Sequence, residues 1–205
     1  MALLAFAAAA LALLPARLPP VDQCRGDASF LRFRSELART IERHDAKGLL
    51  RIVADDVMVD FDASRGPREF AHAWKLDGKH AADSPVWNEL ATVMRLGCTQ
   101  LGAVRIMPSL GEQLGDADPL ETFLALPGAV LRASPSSGGR AISRLDYDVV
   151  TLKGSWPTGD WMHVALSGER SGYLRKDEVR TALQYRAGFE KAGGRWRMTS
   201  FVQGD

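Results

Sequence analysis

The run Trp161-Met162-His163-Val164-Ala165-Leu166 alternates without a break: Met162, Val164 and Leu166 fall on one side of an extended chain, Trp161 and His163 on the other. This is the pattern of a strand with an apolar inner face. If the aliphatic side fills a core, Trp161 is left on the outer side, where a large aromatic is costly unless it meets something. Around this run lie other short apolar segments broken by Gly, Pro and Ser: Val130-Leu131-Arg132, Ile142 and Leu145, Val149-Val150, and Gly172-Tyr173-Leu174. Together they predict a small antiparallel β domain over residues 123–179.

The order of these features resembles the bacterial SH3 family: Val130-Leu131-Arg132-Ala133-Ser134-Pro135-Ser136 as an arginine-bearing strand before a Ser/Pro turn, then the tryptophan strand, then Gly172-Tyr173-Leu174 as the closing strand. Val130 departs from it, because the family commonly carries asparagine there, so no role of that amide transfers. The resemblance implies an SH3-like small β-barrel whose outer aromatics line a shallow peptide groove. Trp161, Tyr173, Trp156, Arg132 and His163 are the ligand-binding residues it implies. It further implies a non-catalytic binding module for a cell-wall peptide, peptidoglycan or envelope protein. Against this stands the reading that the same rings merely pack on the rest of the chain.

Outward from the β segment, Phe30, Phe33, Leu37, Ala38 and Ile41 recur at helical spacing, with Asp27 or Ser29 placed to cap. Asp45 opens a second short helix. Val57, Val59 and Phe61 alternate as a strand, Gly66-Pro67 starts a helix through Phe70 and Trp74, and Ser84-Pro85 starts another that Gly97 ends. Val104 and Ile106 mark a brief strand, and the stretch about Gly111, Gly115 and Pro119 reads as loop. Beyond 179, residues 185–189 and 196–202 flank Lys191-Ala192-Gly193-Gly194 as a hairpin. The class is therefore α+β: a mainly helical α+β region at 24–122, the barrel, and a hairpin at 183–205 able to pack with the first region. Those flanking segments loosely resemble the nuclear transport factor 2-like cone fold, which would make the barrel an insertion and supplies the alternative function, a small-molecule-binding or isomerase-like protein.

Twenty-six basic against twenty-five acidic residues leave no overall electrostatic footprint for nucleic acid. Residues 2–14 form an apolar run too short to span a bilayer, followed by Pro15 and Ala16, which predicts a signal peptide over 1–16 and a periplasmic or secreted protein, although no basic residue precedes the run. Cys24 and Cys98 are the two cysteines; in an oxidising compartment they form either one disulfide or two separate buried thiols.

Chemistry finds little foothold. Asp60, Asp62 and Ser64 hint at a calcium loop, but Arg65 stands where the loop needs glycine and Ala71 where it needs glutamate. His72 and His80 lack metal-ligand spacing. No nucleophile or phosphate-loop motif occurs, so the expectation is no catalytic residue, no metal and no cofactor, with Asp60 or His72 as the only base a cone pocket would offer.

Overall fold

The computed structural model describes residues 15–62, 64–167 and 170–204. Of the expected leader, 1–14 lie outside the described residues. Asp27 caps α1 (Ala28–Glu42): its carboxylate accepts from the Ser29 and Phe30 amides, and Phe30, Phe33, Leu37 and Ile41 are buried along one stripe. Asp45 caps α2 (Ala46–Ile52) through the Gly48 amide. The chain turns directly into β1 (Val53–Met58), earlier than the alternation of 57–61 predicts. Pairing explains the difference, because Val53 lies beside Met198 of a distant strand while Phe61 is exposed with the Arg186 guanidinium over its ring.

Pro67 opens α3 (Pro67–Ala73), and Ser84 receives the Val86 amide at the start of α4 (Val86–Arg95). Gly97 ends that helix at φ 84°, and a Cβ there would meet the Val21 carbonyl at 2.3 Å and Ser109 Oγ at 2.5 Å, so the position requires glycine for both conformation and space. The close approach brings residues 21–24 alongside the strand that follows. Cys98 donates its amide to Val21 and accepts from Gln23, and its sulfur is bonded to Cys24.

Next come β2 (Thr99–Leu101), β3 (Val104–Met107) and a short α5 (Leu110–Leu114) in a stretch expected to be loop. Five residues containing Gly111 carry almost no local signal; α5 forms where Leu110 and Leu114 bury against Leu18 and Leu124. The chain then builds β4 (Thr122–Ala125), β5 (Val130–Arg132), β6 (Ala141–Arg144), β7 (Val149–Leu152), β8 (Trp161–Leu166), β9 (Ser171–Arg175) and β10 (Val179–Arg180) before returning as β11 (Arg186–Ala192) and β12 (Arg195–Val202).

Two sheets result. The first has the order β1-β12-β11-β3-β2, with β1 parallel to β12 and the other pairs antiparallel. Residues of α1 to α4 pack on it in one core containing Phe30, Phe33, Phe70, Trp74, Trp87, Phe189 and Phe201. The C-terminal hairpin therefore belongs to the sheet begun by β1 to β3, and the segment from β4 to β10 is inserted between β3 and its neighbour β11.

The second sheet has the order β10-β4-β7-β8-β9-β5-β6. It is not the closed barrel expected from sequence. Its edge strands β10 and β6 do not pair, and the sheet rolls around its own core of Phe123, Leu131, Leu145, Val150, Met162, Val164 and Leu174. The seam is bridged by loop bonds instead: Gly128 donates to the Leu145 carbonyl, Leu145 donates to Ala129, and Glu178 accepts from the Val130 amide. A two-residue β10 is too short to run a ladder to the far edge.

Among the described residues, two features stand out between the sheets. One is the apolar cluster of Leu18, Leu110, Leu114 and Leu124, with Tyr147, Val149 and Ala182 against it. The other is Arg180, whose side chain is 4% exposed and pairs with Glu89 of α4 at 2.7 Å while donating to the Tyr185 carbonyl at 2.6 Å. Residues 16–18 also dock on the second sheet: Val149 donates to the Ala16 carbonyl, Leu18 donates to Tyr147, and Arg17 pairs with Asp146.

Candidate functional site

Strand parity in β8 is as the alternation predicts, with Met162, Val164 and Leu166 buried and Trp161 and His163 half-buried on the outer side. The register then sets the neighbours. His163 lies opposite Tyr173, and Tyr173 opposite Arg132, so these three cross β8, β9 and β5 in one row. The His163 and Tyr173 rings stack with centroids 4.8 Å apart and planes 19° apart. Trp161 occupies the adjacent row, opposite Arg175. Arg175 is held bidentately by Asp177, both bonds 2.8 Å, which presents the guanidinium in a fixed plane and depresses the Asp177 pKa through that hydrogen bond. Arg132 is partly committed, donating to the Gly139 carbonyl at 2.9 Å and so holding the 133–140 loop against the strip.

Gly172 makes the row possible. A Cβ there would stand 2.6 Å from the Arg132 carbonyl and 2.9 Å from Leu131 Cγ, so only glycine lets β5 approach β9 this closely. Sequence reasoning used this residue only as part of a motif.

Trp156 is elsewhere. Its ring lies tilted by 39° against Phe123, centroids 5.9 Å apart, with the Lys176 ammonium 5.6 Å from its ring centroid, and it is 55% exposed. It belongs to a lid over the Phe123 end of the second core, a cluster different from the His163–Tyr173 row. The contacts between the sheets are made by the leucine cluster and Arg180, so none of the five sequence-selected residues serves as the seal between them.

The bases suggested for a cone pocket are poorly placed. His72 is exposed beside Asp77, and Asp60 turns its carboxylate onto the Asp62 and Ser64 amides. His80 faces Asp83 at the surface. The helix-covered face of the first sheet is filled by the protein's own rings, with Trp74, Tyr185 and Phe201 mutually within 4.7–5.1 Å. At the rim of this cluster burial raises the Tyr185 phenol pKa, and the Glu89 carboxylate raises it further. Asp22 lies close to Cys24 and Cys98, but the two sulfurs are bonded to each other and Asp22 accepts from Arg34 at 2.7 Å, so no thiolate is left for a metal.

No family model matches the chain, and no curated protein matches it. Its structural neighbours are NTF2-like and cystatin-like proteins. An NTF2-like protein with a cystatin-like fold from Novosphingobium aromaticivorans aligns at 14% identity and TM-score 0.34, over 88% of this chain and 83% of that one. An NTF2-like protein of unknown function from Pseudomonas putida aligns at 9% and 0.30, over 89% and 88%, and a protein with a cystatin-like fold from Nostoc punctiforme at 9% and 0.28, over 89% and 92%. The bacterial SH3 resemblance has no counterpart among these. Superposition this loose assigns neither family nor function.

Proposed function

We propose that the chain is an extracytoplasmic binding protein in which the helix-covered first sheet is the scaffold and the outer strip of the second sheet is the ligand-contacting surface. The stacked, half-exposed His163–Tyr173 pair in line with Arg132, and beside Trp161, supports this reading. Flat rings with fixed donors recognise extended peptide or glycan-peptide chains, and cell-wall peptide is the proposed ligand. The disulfide is compatible with an oxidising compartment, and among the described residues no helix is long and apolar enough to cross a membrane.

The test is co-sedimentation with purified peptidoglycan. Trp161→Ala and Tyr173→Ala should each weaken binding by about 2 kcal/mol, roughly thirtyfold, the scale of a central aromatic anchor. Unchanged binding by both folded variants would overturn the assignment. A second reading, a small-molecule-binding cone protein with the second sheet as an insertion, is favoured by the position of β4 to β10 between β3 and β11. A metabolite panel scored by thermal shift discriminates: stabilisation retained in Trp161→Ala would favour that reading.

A further inference from the structure

At one end of the first unit, the exposed side of α1, the last turn of α2 and the tip of the β11–β12 hairpin enclose a cleft of about 390 Å³. Five cations line it: Arg32 from α1, Arg51 from α2, and Lys191, Arg195 and Arg197 from the hairpin, with Glu36 as the acid among the lining residues. Like charges gathered this way repel one another unless an anion joins them. Most of them lack a partner. Arg32, Lys191 and Arg195 make no ion pair or side-chain hydrogen bond among the described residues, Arg197 donates to the Arg51 carbonyl, and Arg51 reaches Asp45 at only 3.8 Å.

The floor of the cleft is held by several contacts. Trp196 packs edge-on to Phe30 at 4.9 Å, its indole donates to Ser29 at 3.0 Å, and the nearly buried Arg105 sits over its ring at 5.4 Å. The hairpin is thus pinned to the helix while its cations remain available.

We infer that this cleft binds a compact polyoxyanion, a ligand carrying two or more clustered phosphoryl or carboxylate groups. Four of the five cations are arginines, whose planar forks engage oxyanions bidentately, and their convergence selects multiple charge over a single one. The near-neutral chain supplies no general attraction for such a ligand, so the affinity is local to the cleft. This site is independent of the aromatic strip on the second sheet.

Isothermal titration of the oxidised full chain with inorganic tripolyphosphate and, separately, citrate at 50 and 300 mM NaCl tests it. One molecule should bind per chain, more weakly at the higher salt because the charges are exposed. The tighter of the two probes identifies phosphoryl or carboxylate chemistry. Arg195→Glu should weaken binding at least tenfold, and Lys191→Gln severalfold with less perturbation of the turn. Arg140→Glu, the same charge reversal on the second sheet, should leave it within twofold. Absence of binding by both probes at 50 mM NaCl, or an equal loss in Arg140→Glu, overturns the inference.

Discussion

Arg180 is the sharpest test of how the two sheets are held together. Its guanidinium is 4% exposed, Nε has no partner, and the charge is balanced by Glu89, itself 27% exposed. Removing one partner of a buried ion pair costs about 3 to 5 kcal/mol, because the remaining charge stays desolvated. The two deletions should therefore differ. Arg180→Met leaves a carboxylate that water can reach, at about 2 kcal/mol after discounting for its exposure. Glu89→Leu strands a nearly buried guanidinium and should cost about 3 kcal/mol or more. The double variant replaces both charges by apolar side chains and should be more stable than Glu89→Leu alone. Urea unfolding followed by tryptophan fluorescence reads all three; with m of about 2 kcal/mol/M, the Glu89→Leu midpoint falls by about 1.5 M. Equal single-variant losses under 1 kcal/mol, or a double variant as unstable as the sum, would refute the reasoning.

Three further outcomes are expected. Reducing Cys24–Cys98, or replacing both by serine, releases a crosslink across 74 residues and should cost about 4 kcal/mol by loop entropy, visible as a lowered urea midpoint in dithiothreitol. Asp27→Ala should cost at least about 1 kcal/mol, since it removes the cap of α1 and the carboxylate 3.3 Å from Arg105. The Ser29 hydroxyl and the Phe30 amide hold the Asp27 pKa below its ordinary value; this contribution is present above the unfolded carboxylate pKa and fades as pH falls through the lower folded one. The stability gap between wild type and variant should therefore be smaller at pH 3 than at pH 7, and a constant gap would contradict the assignment. Gly172→Ala should displace β5 from β9 and lower thermal stability by several degrees, checked by melting and by loss of protected amides at Arg132 and Tyr173.

Features governed by local period were legible from sequence. The α1 stripe, the inward set of β8 and the glycine-turned hairpin each depend on neighbours within a few residues. Features set by remote partners were not. Val53-Ala54-Asp55-Asp56 has no strand alternation, yet β1 begins there because it lies beside Met198. The open edges of the second sheet depend on pairing that no local motif encodes. The resemblance groups Trp161, Tyr173, Trp156, Arg132 and His163 along one groove; the register puts three of them in a row with Trp161 in the next, and Trp156 falls in another cluster. The basic cleft was hidden for a different reason. Arg32, Arg51 and Arg195 come from three separated segments, and a balanced total charge conceals their convergence.

The parallel pairing of β12 with β1 has a consequence for how this chain comes into being. In the first sheet β12 occupies an interior position between β1 and β11, although it follows every other strand of that sheet along the chain. Until residues 195–202 emerge, β1 has no strand partner and Phe30 and Phe33 of α1 lack Trp196, whose ring packs on both. During synthesis the helices of the first unit therefore emerge well before the hairpin they pack against, whereas the second sheet is built from contacts closer in sequence. A chain cut before residue 195 would leave Val53 of β1 without the strand beside it and would remove Met198 and Phe201 from the first core.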